Sequence, residues 1–374
     1  MPKAAVHKPE LFIGLMSGTS VDGVDAALVK MDADNIQLVD FIEHPLPDQL
    51  KSRLTGLNLK PEISLQTLCD LEYQVAQQFI IATQTLLQHN QLKPDEIRAI
   101  GSHGQTIFHS PQTPMSLQIG HPAFIAKQTG IDTAADFRID DLAVGGQGAP
   151  LAPAFHQKLF AVQKQACVIN IGGIANISFL DFEQNQTFGF DTGPGNGLMD
   201  EICQLHFACN YDSNGTIAAS GQVNQEFLNQ LLKHPYLHQA FPKSTGRETF
   251  NRDWLERQLQ NFGQSLDPAD LLATLCEFTA ASIELGIQLL NVSPCDICIV
   301  GGGAFNQELI RRIQARLPDF KVSSSLELDI NPNAIEAMMC AWLAHQRLYG
   351  IPISLKRITG SERDVVLGGL WSAT

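Results

Sequence analysis

Two glycine-rich β-hairpins constrain this chain more than any other feature. The first reads Leu11-Phe-Ile-Gly-Leu-Met-Ser-Gly-Thr-Ser-Val-Asp-Gly-Val-Asp-Ala-Ala-Leu-Val29, and the second Cys167-Val-Ile-Asn-Ile-Gly-Gly-Ile-Ala-Asn-Ile-Ser-Phe-Leu180. In each, an apolar strand runs into Gly with Ser, Thr or Asn, and a second apolar strand leads away. Glycine tolerates φ > 0 and lets a ligand approach the backbone. Successive amide N–H groups in such a turn form a concavity that suits an anion. The plain structural alternative is a tight hairpin with no ligand. Two such turns in one chain point instead to phosphates gripped from both sides of a cleft.

Composition bounds the rest. At 374 residues, two domains are the default. A hydrophobic content of 44% and charged content of 17% describe a folded globule rather than a disordered chain. A formal net charge of −14 argues against nucleic-acid binding, which needs clustered Lys and Arg. It leaves nucleotide binding open, since backbone amides and Mg²⁺ support that locally. The first ten residues lack the apolar core of a signal peptide, and no run matches a transmembrane span. A soluble, cytoplasmic protein is expected. The eight cysteines are scattered. Cys295-Asp-Ile-Cys298 has no second pair at zinc-ribbon spacing, so core thiols are expected rather than metal or redox centres. His103, His109, His121 and His156 lie near glycine-rich turns but form no metal-ligand pattern.

Along the chain, strands alternate with helices. Residues 64–89 carry Leu65, Leu68, Leu71, Val75, Phe79, Ala82 and Leu86 at helical spacing. Residues 97–102 and 130–134 read as strands, 124–129 as a helix, and Val144-Gly-Gly-Gln-Gly-Ala-Pro150 as a loop. Residues 154–160 bridge to a second half that restarts at Cys167. There, 224–233, 252–262, 271–290, 307–317 and 334–349 read as helices and 297–300 as a strand. The pattern predicts an α/β fold in two hinged lobes. The first lobe spans 1–160 and the second 161–350, with 351–374 assigned to neither.

Several positions suggest chemistry. The turn from Ser17 to Asp25 offers amides, hydroxyls and two carboxylates, with Asp22 or Asp25 near Mg²⁺ or the reacting group. It is not a Walker A loop, because no Gly-Lys-Ser/Thr follows. Gly301-Gly-Gly-Ala-Phe-Asn306, between a strand and a helix, suits a nucleotide at a helix N-terminus. The expected phosphate contacts are Gly18, Thr19, Ser20, Val21, Asp22, Gly23, Val24 and Asp25, then Gly172, Gly173 and Asn176, then Gly302 and Gly303. No metal ligand stands out. Asp191, at a strand end before Thr-Gly-Pro-Gly, suits a general base; an Asx turn or cap is the bland alternative. Asp200 falls inside the helix that follows. Arg138 can clamp an anion or pair with Asp140 or Asp141. Glu336, in an apolar helix, needs a partner or a cleft.

Taken together, Gly14-Leu-Met-Ser-Gly-Thr-Ser-Val-Asp-Gly-Val-Asp25, Ser102-His-Gly-Gln-Thr106, Asp136-Phe-Arg138, Gly145-Gly-Gln-Gly-Ala-Pro150 and Asn170-Ile-Gly-Gly-Ile-Ala-Asn-Ile177 resemble the anhydro-N-acetylmuramic acid kinases. So do Phe190-Asp-Thr-Gly-Pro-Gly-Asn196, Pro242-Lys-Ser-Thr-Gly-Arg-Glu248 and Gly301-Gly-Gly-Ala304. That family is a sugar-kinase branch of the actin and hexokinase superfamily. Two positions depart from the expected pattern. Met16 stands where many superfamily kinases carry Asp at the end of the first strand, and Met339 stands where an aromatic is expected.

The resemblance implies a two-lobed actin/hexokinase-like (ribonuclease H-like) α/β fold with a nucleotide cleft between the lobes. It also implies an ATP- and Mg²⁺-dependent kinase that opens 1,6-anhydro-N-acetylmuramic acid with water and phosphorylates O6. Asp191 would be the base, Arg138 and Glu336 sugar-side contacts, and residues 242–248 part of the sugar pocket. The implied partners are small molecules, with a homodimer allowed and neither nucleic acid nor membrane involved. A hexose or hexosamine kinase acting on a free hydroxyl shares the fold. A chaperone-like ATPase is a more distant alternative.

Overall fold

Both faces of the first strand, β1 (Glu10–Ser17), are buried from Phe12 onward, which marks it as the centre of a covered sheet. The computed structural model describes residues 8–18, 21–32, 35–59, 62–110, 112–160, 165–181, 183–184, 186–241, 243–328 and 330–374. The chain divides into two compact units. One comprises the residues up to Leu159 together with Ala334–Thr374, and the other Phe160–Asn333.

In the first unit, β1, β2 (Gly23–Met31) and β3 (Ile36–Pro45) form an antiparallel meander. β4 (Ile97–Ser110) joins β1 in parallel, and β6 (Thr133–Ala135) joins β4 in parallel. β5 (Met115–Ile119) folds back on β4 as a hairpin that the sequence pattern does not mark. β12 (Gly369–Trp371) closes the far edge against β6.

Ile13, Leu15, Val24, Ala26 and Leu28 meet Leu71, Val75, Phe79 and Leu86 of the helix Leu65–His89 in one apolar cluster. That helix starts where Ser64 Oγ accepts the Thr67 N–H at 3.1 Å, an N-cap that satisfies an otherwise orphaned donor. Leu65, expected on the apolar face, lies in the first turn and is exposed.

The other face of the sheet receives the late helix Ile335–Leu348. A Cβ on Gly14 would lie 1.7 Å from the Ala337 carbonyl oxygen, and one on Gly101 would lie 1.9 Å from that of Cys340. The helix backbone therefore rests directly on the strands, and only glycine fits beneath it. This corrects the expected lobe assignment. The sequence pattern places residues 334–350 with the second half, yet they lie in the first unit, where their helix covers the sheet. Residues 351–374 also lie in the first unit.

The second unit repeats the plan. β7 (Gln165–Ile171), β8 (Ile174–Asp181) and β9 (Gln186–Pro194) form a meander. β10 (Asp296–Val300) joins β7 in parallel, and β11 (Lys321–Ser324) joins β10. The helix Pro268–Leu290, capped by Asp267, buries Leu271, Leu275, Phe278 and Ile283 in the core cluster of this unit. Each sheet thus contains a three-stranded meander whose first strand pairs in parallel with a fourth strand, which in turn pairs in parallel with a fifth. That order is the ribonuclease H-like topology. Its duplication is the actin/hexokinase-like architecture.

Candidate active site

In the first unit, the turn between β1 and β2 is held from below by the Ser102–Thr106 stretch. Ser17 Oγ lies 2.8 Å from the Gly23 carbonyl and 2.7 Å from Gln105 Oε1. Gln105 Nε2 donates to the Gly18 carbonyl at 3.2 Å. Val21 adopts φ = 58° and donates its N–H back to Gly18 O. The Val21 and Val24 side chains are core residues, so only their backbones can meet a ligand. Thr19 and Ser20 lie outside the described residues. Asp22 is exposed and ion-paired with Lys51.

Asp25 differs sharply from Asp22. It sits opposite Met16 on one side and Glu43 on the other, on the sheet face that the late helix covers. Burial, then the charges of Glu43, Glu336 and Asp22, push its carboxyl up to about 7.

Glu336 opens the late helix, so the close packing at Gly14 and Gly101 fixes its position. Burial raises its carboxyl above the usual range, and Arg138 partly offsets this. Arg138 pairs with neither Asp140 nor Asp141, contrary to one sequence expectation. Its Nε donates to His103 Nε2 at 3.0 Å and its Nη1 to the Gly148 carbonyl at 3.0 Å. Asp141 is fully buried and accepts from the Gly148 N–H and from Thr359 Oγ1, each at 2.7 Å. Asp140 accepts from the Gly368 N–H. The glycine-rich stretch 145–150 is therefore wrapped around Asp141 and presents a carbonyl to Arg138. His103, buried, contributes the other restraint. Its role was missed because a lone histidine in a strand carries no spacing signal.

In the second unit, three glycine-bearing turns meet at Asn196. Its N–H donates to the Gly172 carbonyl at 2.7 Å and its Nδ2 to that of Ile171 at 3.2 Å. Gly195 and Gly197 both donate to Gly173 O. A Cβ on Gly302 would lie 3.4 Å from Asn196 Nδ2, while one on Gly172 would have only the Ile174 carbonyl oxygen nearby, at 3.8 Å. The backbone at these turns is thus open to a close ligand. Gly303 instead packs on Ile171. Asn196 was legible within its motif, but its place as the hub depends on contacts between distant segments.

Asn176 is not part of that turn cluster. It faces Asp191 across β8 and β9, beside a bulge between Ala175 and Asn176. Asp191 is gripped by residues 243–245. Its Oδ2 accepts from Ser244 Oγ at 2.8 Å and from the Thr245 N–H at 2.9 Å, and its own N–H donates to the Lys243 carbonyl at 3.3 Å. Tyr236 OH donates to the Asp191 carbonyl at 2.7 Å. Among the described residues Oδ1 takes no hydrogen bond. Burial raises this carboxyl above its ordinary value, opposed by the Thr245 and Ser244 donors. One oxygen is anchored and the other free, with raised basicity, which is what a general base requires. Pro242 lies outside the described residues. Asp200 lies in the helix Gly197–His206. Arg247 is ion-paired with Glu201 of that helix.

Among the described residues, no three His, Cys, Asp or Glu side chains gather into a metal site. None of the described helices is long and apolar enough to cross a membrane.

A family model described as anhydro-N-acetylmuramic acid kinase matches residues 10–373. The protein of that name from Hydrogenovibrio crunogenus is 54% identical over 97% of this chain and 98% of its own length. The one from Vibrio vulnificus is 44% identical over 97% and 98%. Among solved structures, the activator of the 2-hydroxyisocaproyl-CoA dehydratase from Clostridium difficile with bound ADPNP superposes at a TM-score of 0.47 with 12% identity, over 91% of this chain and 96% of that one.

Proposed function

The chain belongs to the anhydro-N-acetylmuramic acid kinase family, and on that premise we propose that it is an ATP-dependent sugar kinase. It opens 1,6-anhydro-N-acetylmuramic acid with water and phosphorylates O6, giving N-acetylmuramic acid 6-phosphate and ADP. The observation that carries the chemistry is the half-anchored carboxylate of Asp191.

In the anhydro sugar O6 is bonded to C1, so it carries no proton for a base to remove. Asp191 Oδ1 instead takes a proton from water. The water oxygen bonds to C1, the C1–O6 bond breaks, and the freed O6 attacks the γ-phosphorus as ADP leaves. Ser244 and Thr245 hold the other carboxylate oxygen, so Oδ1 is oriented before the water arrives. Arg138 and Glu336 contact the sugar, with Arg138 fixed in direction by His103 and Gly148 O.

The open backbone at Gly172, Gly173 and Gly302 and the turn from Gly18 to Asp25 receive the phosphates, as oriented N–H groups do elsewhere. Mg²⁺ bound with the nucleotide would supply neutralisation of phosphate charge there. The enzyme works in the cytoplasm, in keeping with eight free thiols.

Incubating the protein with ATP, Mg²⁺ and the anhydro sugar in ¹⁸O-water tests the reaction. Rapid mass spectrometry should find the label at the anomeric carbon of a reducing sugar phosphate. A phosphorylated product that keeps its anhydro ring would overturn this mechanism.

A further inference from the structure

Lys243 is an unusual cation. It is 9% exposed, and among the described residues no carboxylate lies within ion-pair distance. Its Nζ donates to two main-chain carbonyls, Tyr236 O at 3.2 Å and Leu237 O at 3.1 Å. It also stands 4.8 Å from the Tyr236 ring centre and 5.6 Å from that of Phe190. A buried ammonium without a carboxylate partner is costly, and carbonyl dipoles with aromatic faces offset only part of that cost.

What this arrangement holds is Asp191. Phe190 is its chain neighbour. The Lys243 carbonyl accepts the Asp191 N–H, the next two residues grip Oδ2, and Tyr236, whose carbonyl the ammonium caps, donates its hydroxyl to the Asp191 carbonyl. Every main-chain and side-chain restraint on Asp191 from outside its own sheet therefore comes from a segment tied to the ammonium.

We propose that Lys243 is a positioning residue for the reaction: a buried cation that pins the segment gripping Asp191 and sets a positive charge beside that carboxylate. This rests on Asp191 being the base. The titratable or charged groups facing Asp191 are Lys243 and Glu248 from the gripping segment and Tyr236 from the short helix Pro235–His238; Asn176, across the sheet, does not titrate. Lys243 and Glu248 act in opposite directions on the carboxyl. Burial depresses the ammonium of Lys243 and Asp191 supports it, so the two charges sustain each other.

The test compares Lys243→Met, Lys243→Gln and Lys243→Arg, measuring kcat, KM and the pH profile of kcat/KM for the anhydro sugar at saturating ATP. Unfolding curves establish that each variant is folded. Lys243→Met should lower kcat about 10- to 100-fold, as a displaced base does, while KM for ATP, measured separately by varying ATP at saturating sugar, changes less than about twofold. The acid limb of the profile should move up by roughly half a unit to one unit. Lys243→Gln keeps donors for the two carbonyls without the charge. It should recover part of kcat but not the position of the acid limb, and it decides the matter if the Met variant is unstable. Lys243→Arg should bring both back toward wild type.

A folded Met or Gln variant whose acid limb coincides with wild type overturns the proposal, whether or not kcat falls, because a merely structural lysine would leave the limb in place. Asp191→Asn run alongside separates the two failures. If that variant keeps its turnover, it is the assignment of the base that fails.

Discussion

Arg138 donates its Nε–H to His103 Nε2 at 3.0 Å, while His103 Nδ1 lies 3.0 Å from the Gly104 carbonyl. The two contacts together fix one tautomer: Nδ1 carries the proton and Nε2 accepts. A protonated His103 would have no lone pair for Arg138 and would set two cations against each other. The guanidinium is thus aimed by a histidine that must stay neutral.

His103 should therefore report on acid stability. Burial, then the Arg138 charge, depress its ring from 6.5 to about 3. Below pH 6.5 the unfolded chain takes up a proton that the folded chain refuses, so stability falls as the pH drops from 6.5 toward 3. His103→Gln retains an acceptor and a donor while removing the titration. The slope of unfolding free energy against pH in that window should become shallower by up to about 1.4 kcal/mol per pH unit. Urea unfolding at a series of pH values measures it, and an unchanged slope would remove His103 from this role.

Asp25 should act in the opposite sense. With its folded carboxyl near 7 against 3.8 for the free group, the native state holds a proton that the unfolded state has lost between those values. The stability it contributes is complete below pH 3.8 and disappears as the pH rises through 7. Asp25→Asn should then raise the melting temperature relative to wild type at pH 8 and leave it nearly level at pH 4. A variant less stable at pH 8 would contradict the crowding of Asp25 by Glu43 and Glu336.

The seating of the late helix predicts a contrast between two glycines. Gly14→Ala would drive a methyl into the Ala337 backbone, 1.7 Å from its carbonyl oxygen, and no side-chain rotation relieves that. We expect a loss of at least about 3 kcal/mol, or failure to fold, with activity lost as Glu336 is displaced. Gly56→Ala, in the helix Asp48–Leu59 with nothing within 4 Å of the new methyl, should gain about 0.5–1 kcal/mol from helix propensity. Equal effects at the two sites would contradict the packing.

Asp191→Asn tests the base directly. The amide keeps an acceptor toward Ser244 and the Thr245 N–H but cannot take a proton from water. Turnover should fall roughly 10²- to 10⁴-fold with little change in ATP affinity. If Asp191 only braced the 243–245 segment, the outcome would be a lower melting temperature and near-normal turnover in the folded fraction.

Much of this was legible in the chain because it is local. Apolar spacing marks the helix Leu65–His89 whatever it packs against, and a glycine pair between two apolar runs turns wherever it lies. The short strand β5 escaped because five residues with weak alternation do not stand out. The late helix read as a helix but was assigned to the wrong unit, since periodicity reports that a face is buried and not which sheet buries it. Only the glycines beneath it, Gly14 and Gly101, decide that, and they lie far away in sequence.

The site divides along the same line. The sequence by itself singled out the candidate side chains: Asp191 before its stiff turn, Arg138, Glu336, and the glycines of the turns. It could not say in what state those groups exist. That Asp25 is crowded by carboxylates while its neighbour Asp22 is solvated beside Lys51, that His103 aims Arg138, and that Lys243 is buried against the segment holding Asp191 were decided only by tertiary structure. The physical reason is that ionisation and orientation depend on desolvation and on charges within a few ångströms, and those neighbours arrive from segments the chain brings together only on folding.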